Sequence, residues 1–432
     1  MSDNQTHIKW FRDSSPYINA HRHKTFVLYL DGAALESPNL PNIISDIALL
    51  NSLGVRLVLV HGAVPQIDRR LTAHSKSWES MDGKRITTPE LLKDVIEAIG
   101  GVKAEIEAKL SMGLVNSPMH GADIVVTSGN FVKARPLGIV DGKDFHNTGI
   151  TRRVNSAAIN QQLDNGAVVL ISPVGYSPSG EIFNLDSITL AADVAIALTA
   201  NKLIFFSAQA GITDADGNVI SELQVGNSNL LPANTSAIDE ILLSLTSKAC
   251  QKNVNRCHIV SYMNDGALLE ELFTRDGSGT QIVKVSYEQV RPATSDDVAG
   301  IIELIEPLEE SGVLVKRSRE LIESEVEQFT VIERDGLIVS CGALNPFGNK
   351  GELACLATHA EYRDKDRGEL LLAAIEHRAR ELALSSLFVL TTHSAHWFTE
   401  RGFVEENISE LPEGRKSLYN YQRNSKLFVK SL

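Results

Sequence analysis

Cysteine is scarce. The 432 residues hold four, Cys250, Cys257, Cys341 and Cys355, and no two stand in a Cys-x-x-Cys spacing. That pattern argues against a zinc knuckle and a disulfide framework, so no metal is expected and a reducing cytoplasm fits best. Long apolar runs are missing too. Nothing approaches the ~20 consecutive apolar residues of a membrane-spanning helix. The polar N-terminus carries no apolar signal-peptide core, so no secretory signal is expected. Positive charge is in deficit, with 41 Lys and Arg against 54 Asp and Glu and a net charge of −13. This balance opposes non-specific binding to nucleic acid or to a membrane surface, and leaves room for a local basic pocket around an anionic cofactor. With 43% hydrophobic, 22% charged and 6% aromatic residues, the rest is ordinary globular composition. The length favours more than one domain.

The stretch from Gly351 to Leu371 is the most informative. Leu353 to Thr358 is a nearly unbroken apolar run, as in a strand buried on both faces. A charged turn follows over Asp364 to Gly368. Leu370, Leu371, Ala374, Ile375 and Arg378 then recur at helical spacing, so a helix starts near Asp366. The free N–H groups and dipole at such a helix start favour a phosphate.

Elsewhere strand and helix alternate, which argues for an α/β fold with a mostly parallel sheet covered on both faces. Strands are expected at Thr25–Leu30, Val55–Val60, Ala167–Ile171, Leu203–Ser207 and Arg256–Ser261, with helices between them. Ile124–Thr127 and Phe131–Arg135 look like partners around Gly129-Asn130. The segment from His7 to Arg22 carries Trp10, Phe11 and Tyr17. It reads as an arm that docks either on a neighbouring subunit or on its own domain. Val285 to Glu288 is a short polar joint, after which the pattern restarts at Val290. Ser295 or Asp296 is expected to cap the helix that runs to Ile305. Asp335-Gly336 joins Phe329–Arg334 and Leu337–Leu344 as a hairpin. The organisation is therefore an arm over 1–22, one domain over 23–284, a linker over 285–288 and a second domain over 289–432.

Arg363-Asp364-Lys365-Asp366-Arg367-Gly368 resembles the acetyl-CoA turn of the GNAT N-acetyltransferases, usually Gln/Arg-x-x-Gly-x-Gly/Ala. The ends match, and Asp366 replaces the middle glycine. The resemblance implies that this turn holds the CoA pyrophosphate, with Arg363, Lys365 and Arg367 offsetting Asp366. It also implies that Cys355, Leu356 and Ala357 lie along the pantetheine. Val58-Leu59-Val60-His61-Gly62-Ala63-Val64-Pro65-Gln66-Ile67 resembles the phosphate turn of the amino-acid kinases, acetylglutamate kinase among them. Phe183-Asn184-Leu185-Asp186 resembles their later nucleotide-side strands. The kinase lysine of the first strand is absent, because Tyr29-Leu30-Asp31-Gly32 stands there. A tyrosine cannot stabilise a transferring phosphoryl group, and Asp31 repels it, so the fold reads as kept and the kinase chemistry as lost.

Acetyl transfer to an amine needs a proton acceptor, because an α-amine of pKa near 8 is mostly protonated at neutral pH. Glu352, at the head of the Leu353 strand, is the candidate base, acting through water. It also reads as a plain strand-end carboxylate. Phe398 stands where the GNAT family usually carries its tyrosine acid, which leaves Thr392 and Ser394 as hydroxyls near the leaving thiolate. Cys355 is a candidate acyl carrier, although a thiol inside a strand usually only packs. Two cationic clusters suit an acceptor with two carboxylates: Lys316, Arg317 and Arg319, and Arg415, Lys416, Arg423 and Lys426. Either cluster alone more often reads as solvated surface.

An acetylglutamate-kinase-like half joined to an acetyltransferase half is similar to the bacterial amino-acid N-acetyltransferases that make N-acetylglutamate. That resemblance covers nearly the whole chain. It implies acetyl-CoA as donor, L-glutamate as acceptor, a place at the first step of arginine synthesis, a homo-oligomer of hexameric kind and feedback by L-arginine. It further implies an arginine site in which Glu271 meets the guanidinium, His258 and Gly277 line the pocket, Lys202 faces the carboxylate and Tyr17 closes it. An active acetylglutamate kinase with an accessory domain, or a non-catalytic amino-acid sensor, are the competing readings.

Overall fold

A computed structural model describes residues 8, 10–12, 14–113, 117, 119–225, 236–274, 277–284, 288–334, 337–363, 367–392, 394–417, 419 and 425–432. The chain divides into two compact units, Met1–Val285 and Ser286–Leu432.

In the first unit the apolar runs form the expected parallel strands. Helix α1 (Ser15–His21) is followed by β1 (Thr25–Leu30), α2 (Leu40–Ser52), β2 (Arg56–His61), α3 (Val64–Ala73) and α4 (Pro89–Leu110). Next come β3 (Val126–Thr127), β4 (Val132–Pro136), β5 (Thr148–Val154), α5 (Ser156–Asp164), β6 (Val168–Ile171), β7 (Val174–Tyr176) and β8 (Ile182–Leu185). The unit ends with α6 (Ser187–Ala197), β9 (Lys202–Ser207), β10 (Glu222–Gln224), α7 (Ala237–Gln251), β11 (Arg256–Ser261), α8 (Ala267–Phe273) and β12 (Thr280–Val283). Eight strands make one sheet in the order β10-β12-β11-β9-β1-β2-β6-β3, parallel except at β11–β12. Every residue of β1 is buried, as an unbroken apolar run between two helical layers requires. One core lies on each face, around Ile44, Ile47 and Val95 on one side and Leu190, Val194 and Leu242 on the other.

Two expectations change here. Ile124–Thr127 and Phe131–Arg135 do not pair with each other. β3 joins β6 in the large sheet through Val168↔Val126 and Val169↔Thr127. β4 belongs instead to a closed barrel, β7-β8-β5-β4. Alternation shows which face of a strand is buried and says nothing of its partner. The arm packs on its own unit: His21 Nε2 meets the Leu272 carbonyl at 2.8 Å, and Ser14 Oγ donates to the Phe273 carbonyl at 3.4 Å. Pro16 lies in the first turn of α1, where a proline is suited. Ile8, Trp10 and Phe11 remain exposed.

The second unit holds β13 (Glu288–Pro292), α9 (Val298–Glu310), α10 (Arg319–Ser324), β14 (Phe329–Arg334), β15 (Leu337–Phe347) and β16 (Lys350–Thr358). It continues with α11 (Arg367–Glu381), β17 (Ser386–Thr391), α12 (Ala395–Glu400), β18 (Val404–Glu406), α13 (Glu413–Lys416) and β19 (Lys426–Ser431). The sheet order is β13-β14-β15-β16-β17-β19-β18. Leu371 and Ile375 of α11 cover one face with Leu344 and Leu353. Ile301 and Ile305 of α9 cover the other with Cys341 and Ala343. Glu288, read above as the end of the joint, is the first residue of β13. The cap before α9 is Thr294, not Ser295 or Asp296. Asp297 reaches back to the Thr294 N–H at 2.7 Å, closing a capping box over a short 3-10 turn.

One buried ion pair ties the start of this unit to the start of α11. The Arg367 guanidinium is 4% exposed and donates twice from Nε to Glu288, at 2.9 and 3.0 Å, with a further Nη2 contact. It also lies 4.8 Å from the Tyr362 ring centroid. Removing one partner of a buried pair strands the other charge, at a cost of about 3–5 kcal/mol. Glu288→Ala is expected to lower the unfolding free energy of the second unit by about that much, and with it the urea midpoint, read by hydrogen exchange at β13 and α11. An unchanged midpoint would show the pair to be superficial.

Candidate active site

The site is built where two parallel strands separate. β16 and β17 pair at only three positions, Lys350↔Ser386, Gly351↔Leu387 and Glu352↔Phe388. Beyond Glu352, β16 bends away. Its register against β15 jumps from Ala343↔Ala354 to Cys341↔Ala357, so that Gly342 faces both Cys355 and Leu356. This is a β-bulge, which kinks a strand and frees one residue from the ladder. Cys355 adopts φ +50°, a left-handed conformation costly for any residue but glycine. Gly342 lies opposite the bulge and lets α11 pack closely there: a Cβ would come within 2.8 Å of Ile375 Cδ1 and 3.2 Å of Leu356 Cδ1, side-chain ends that would have to shift.

The gap opens a cleft of about 490 Å³, whose lining includes Leu353 to Leu356, Arg363, Gly368, Val389 to Thr391, Ser394 and Trp397. The backbone edge of residues 353–356 therefore has no partner in β17. It is available to an extended ligand, and its N–H groups to a developing oxyanion. Arg363 and Gly368, the two ends of the charged turn, both belong to the lining. Asp364, Lys365 and Asp366 lie outside the described residues. The side chain of Arg367 is not a phosphate ligand: Glu288 holds it inside the unit, so only its backbone can serve the turn. Ala357 does not line the cleft. It lies past the bulge, with its carbonyl taken by Ser340 Oγ at 2.8 Å.

Glu352 is 6% exposed and shares the sheet face of its register partner Phe388. Arg415 of α13 meets it closely, its Nε lying 3.0 and 2.9 Å from the two carboxylate oxygens. The candidate base and a candidate substrate anchor are thus a single ion pair, although 63 residues separate them. No pattern in either segment points to the other. Cys355 is unsuited to carry an acyl group, because burial pushes its thiol up to about 11 and leaves almost no thiolate at neutral pH. Ser394 is exposed, lines the cleft and precedes α12. Phe398 is buried in the same wall.

The first cationic cluster is largely committed elsewhere. Arg319 pairs with Glu323 at 2.8 Å, and Arg317 lies 3.6 Å from Glu325. Lys316 is exposed. In the second cluster, Lys416 and Lys426 pair with Glu413 and Glu405 at the surface. Arg423 lies outside the described residues. One cation of the cleft was not singled out from the sequence: Arg401 of the Arg401-Gly402-Phe403 run, stacked 4.1 Å over the Trp397 ring. A lone arginine after a short helix carries no sequence signal.

In the first unit, Lys202, His258 and Glu271 form a buried relay. Lys202 Nζ lies 3.1 Å from His258 Nε2, and His258 Nδ1 lies 2.6 Å from Glu271 Oε1. Lysine is only a donor, so Nε2 accepts and Nδ1 donates to Glu271. Glu271 Oε2 also accepts from the Ser278 and Gly279 N–H groups, each at 2.9 Å. Gly277 has φ +66°, and a Cβ there would sit 2.4 Å from Glu271 Oε2. Glu271 is therefore neither solvated nor unoccupied, with three of about four acceptor positions used. Tyr17 is half-buried against the same core as Leu268 and Leu272. Tyr29, in place of the kinase lysine, is buried and shares a 3.1 Å hydrogen bond with Ser187 Oγ.

The family comparisons agree with these two halves. Residues 24–261 match the amino acid kinase family and residues 325–405 the acetyltransferase (GNAT) domain. The chain is 51% identical to an amino-acid acetyltransferase of Pseudomonas fluorescens and 52% identical to one of Pseudomonas putida, over 99% of this chain and of each relative. It superposes with a TM-score of 0.90 and 38% identity on N-acetylglutamate synthase from Neisseria gonorrhoeae complexed with coenzyme A and L-arginine, covering 98% of this chain and 99% of that one. The same enzyme complexed with coenzyme A and N-acetyl-glutamate gives a TM-score of 0.63 over the same shares.

His258 generates a prediction. Burial, then the charge of Lys202, lowers its pKa from 6.5 to about 4 despite the bond to Glu271. The unfolded chain then binds the extra proton first as pH falls, so the stability held above pH 6.5 declines toward pH 4. Urea midpoints of the first unit should drop across that window, where His21 and His61, whose pKa values burial lowers to about 3 and about 4, contribute as well, and His258→Gln should make the drop shallower. An equal slope in the variant would locate the acid sensitivity elsewhere.

An amino-acid-kinase fold without its lysine, followed along the chain by an open-stranded acetyltransferase sheet and matched end to end at about half identity, means that this chain belongs to the family of the amino-acid acetyltransferases.

Proposed function

We propose that the chain transfers the acetyl group of acetyl-CoA to the α-amine of L-glutamate, releasing N-acetyl-L-glutamate and CoA. The observation that carries this reading is the Glu352–Arg415 pair beside the strand gap. It brings a buried carboxylate and a guanidinium to one place, as an acidic amino-acid acceptor requires. The Neisseria gonorrhoeae enzyme, 38% identical over nearly the full length, is named for N-acetylglutamate synthesis and holds coenzyme A.

The pantetheine lies along the unpaired edge of residues 353–356, and the pyrophosphate lies at the turn from Arg363 to Gly368. Glu352 takes a proton from the acceptor ammonium through water. The free amine attacks the thioester carbon, the backbone N–H of Leu356 meets the oxyanion, and the tetrahedral intermediate expels the CoA thiolate, which takes up the proton that the new amide nitrogen loses. Ser394 stabilises that thiolate. Arg415, Lys316 and Arg423 hold the acceptor's two carboxylates. The reaction opens arginine synthesis in the cytoplasm, and the chain works as a homo-oligomer.

Purified protein should release CoA with L-glutamate and form N-acetyl-L-glutamate. No release would discard the reading in favour of a sensor, and ATP turnover would favour a kinase. Glu352→Gln keeps the shape and removes the basicity. A positioned base contributes roughly 10²–10⁴-fold, so kcat should fall within that range. A loss below about threefold would make Glu352 a partner of Arg415 and nothing more.

The first unit takes L-arginine as a feedback inhibitor at the Lys202–His258–Glu271 relay. The remaining acceptor position of Glu271 meets the guanidinium, Gly277 bounds the pocket and Tyr17 covers it. Inhibition requires only that arginine prefer the less active state, with a coupling of ~1–3 kcal/mol. Glu271→Gln retains acceptors for the Ser278 and Gly279 N–H groups but loses the charge. It should keep near-normal turnover that arginine no longer restrains; a variant as sensitive as the parent would refute the site.

A further inference from the structure

The donor cleft poses a problem of charge. Of the turn's cations, Arg367 faces inward to Glu288, and Arg363 lines the cleft but donates its Nε to the Thr358 carbonyl at 3.4 Å. Glu369, two positions further along α11, lines the cleft and adds a carboxylate near the place of a pyrophosphate. The cation that answers it comes from the far end of α12. Arg401 Nη1 donates to the Trp397 carbonyl at 2.9 Å, which fixes the guanidinium plane over the Trp397 ring, 4.1 Å from its centroid. Trp397 packs in turn on the first turn of α11: a Cβ on Gly368 would lie 3.0 Å from Trp397 Cζ2. One aromatic ring therefore separates the guanidinium from the phosphate turn.

Arg401 is poised to change partners. Its Nη2 pairs with Glu369 and its Nη1 also reaches Glu400, 3.2 Å away, and both carboxylates are 54% exposed. Exposed pairs of this kind contribute little and yield readily. Arg401 Nε is buried and has no hydrogen-bond partner among the described residues. A guanidinium is a planar fork of donors matched to phosphate oxygens, and stacking on tryptophan holds it ready.

We propose that Arg401 is a side-chain cation that binds the pyrophosphate of acetyl-CoA, exchanging Glu369 for the phosphate oxygens while Trp397 keeps its plane. The inference rests on reading the cleft as the acetyl-CoA site.

Steady-state kinetics and calorimetric titration with CoA test it on the full chain. Arg401→Gln should raise KM for acetyl-CoA and Kd for CoA by about tenfold or more, the loss of a charged hydrogen bond, with kcat and KM for glutamate nearly unchanged. Arg401→Lys should fall between, because it keeps the charge and loses the fork. Glu369→Gln removes the competing carboxylate and should tighten CoA, a readout that survives even if Arg401→Gln folds poorly. With 3′-dephospho-acetyl-CoA the penalty of Arg401→Gln should persist. Its disappearance would assign the contact to the 3′-phosphate and overturn the proposal, as would unchanged CoA affinity in Arg401→Gln or weaker affinity in Glu369→Gln. If the parent itself binds no CoA, the reading of the cleft fails; if the parent binds and Arg401→Gln binds equally, only the role of Arg401 fails.

Discussion

The separation of β16 from β17 is the constraint on which the acetyltransferase unit depends. Parallel strands that pair along their whole length leave no edge for a ligand. Here pairing stops after three residues, and the bulge at Cys355 drives the strand aside. The strained φ of Cys355 persists because its surroundings over-determine it: the register shift against β15 sets its place, and α9 and α11 clamp the two faces. Glu352 stands on the last paired residue. The candidate base is therefore held by a full ladder on the side away from the cleft, while the next four residues expose their backbone.

Much of this architecture was legible in the sequence, for a physical reason. Strands buried on both faces must be continuously apolar, so β1, β2, β6, β9 and β11 can be read directly. The strand, charged turn and helix around Gly351 to Leu371 follow from a change of period. What stayed hidden was pairing between distant segments. Arg367 looks like a phosphate cation in the sequence because its partner, Glu288, lies 79 residues earlier. Arg415 and Arg317 look equivalent, yet one meets Glu352 and the other lies near Glu325. Cys355 reads as an ordinary strand residue, because a bulge changes registry and leaves composition untouched.

Buried charge recurs at each of these points and in each case is matched. Arg367 meets Glu288, Arg415 meets Glu352, and Lys202 is linked through His258 to Glu271. A buried charge without a partner is expensive, so these groups specify which segments come together more than they add stability. In the first unit that choice has an open side: the relay ends on a carboxylate with acceptor capacity remaining, beside a glycine whose missing Cβ leaves it room.

The bulge also bears on how the sequence can drift. Before it, Leu353 belongs with the core under α11. After it, Leu356 does, while Cys355 and Ala357 turn toward α9. The inserted residue has reversed the parity of the strand. Point substitutions act on one side chain at a time and leave that parity intact. Loss of a single codon at 355 or 356 would restore even alternation and let β16 regain its registry with β15. The cleft is thus guarded against changes of letter and vulnerable to changes of length, so indels in this stretch should be far rarer among functional descendants than substitutions.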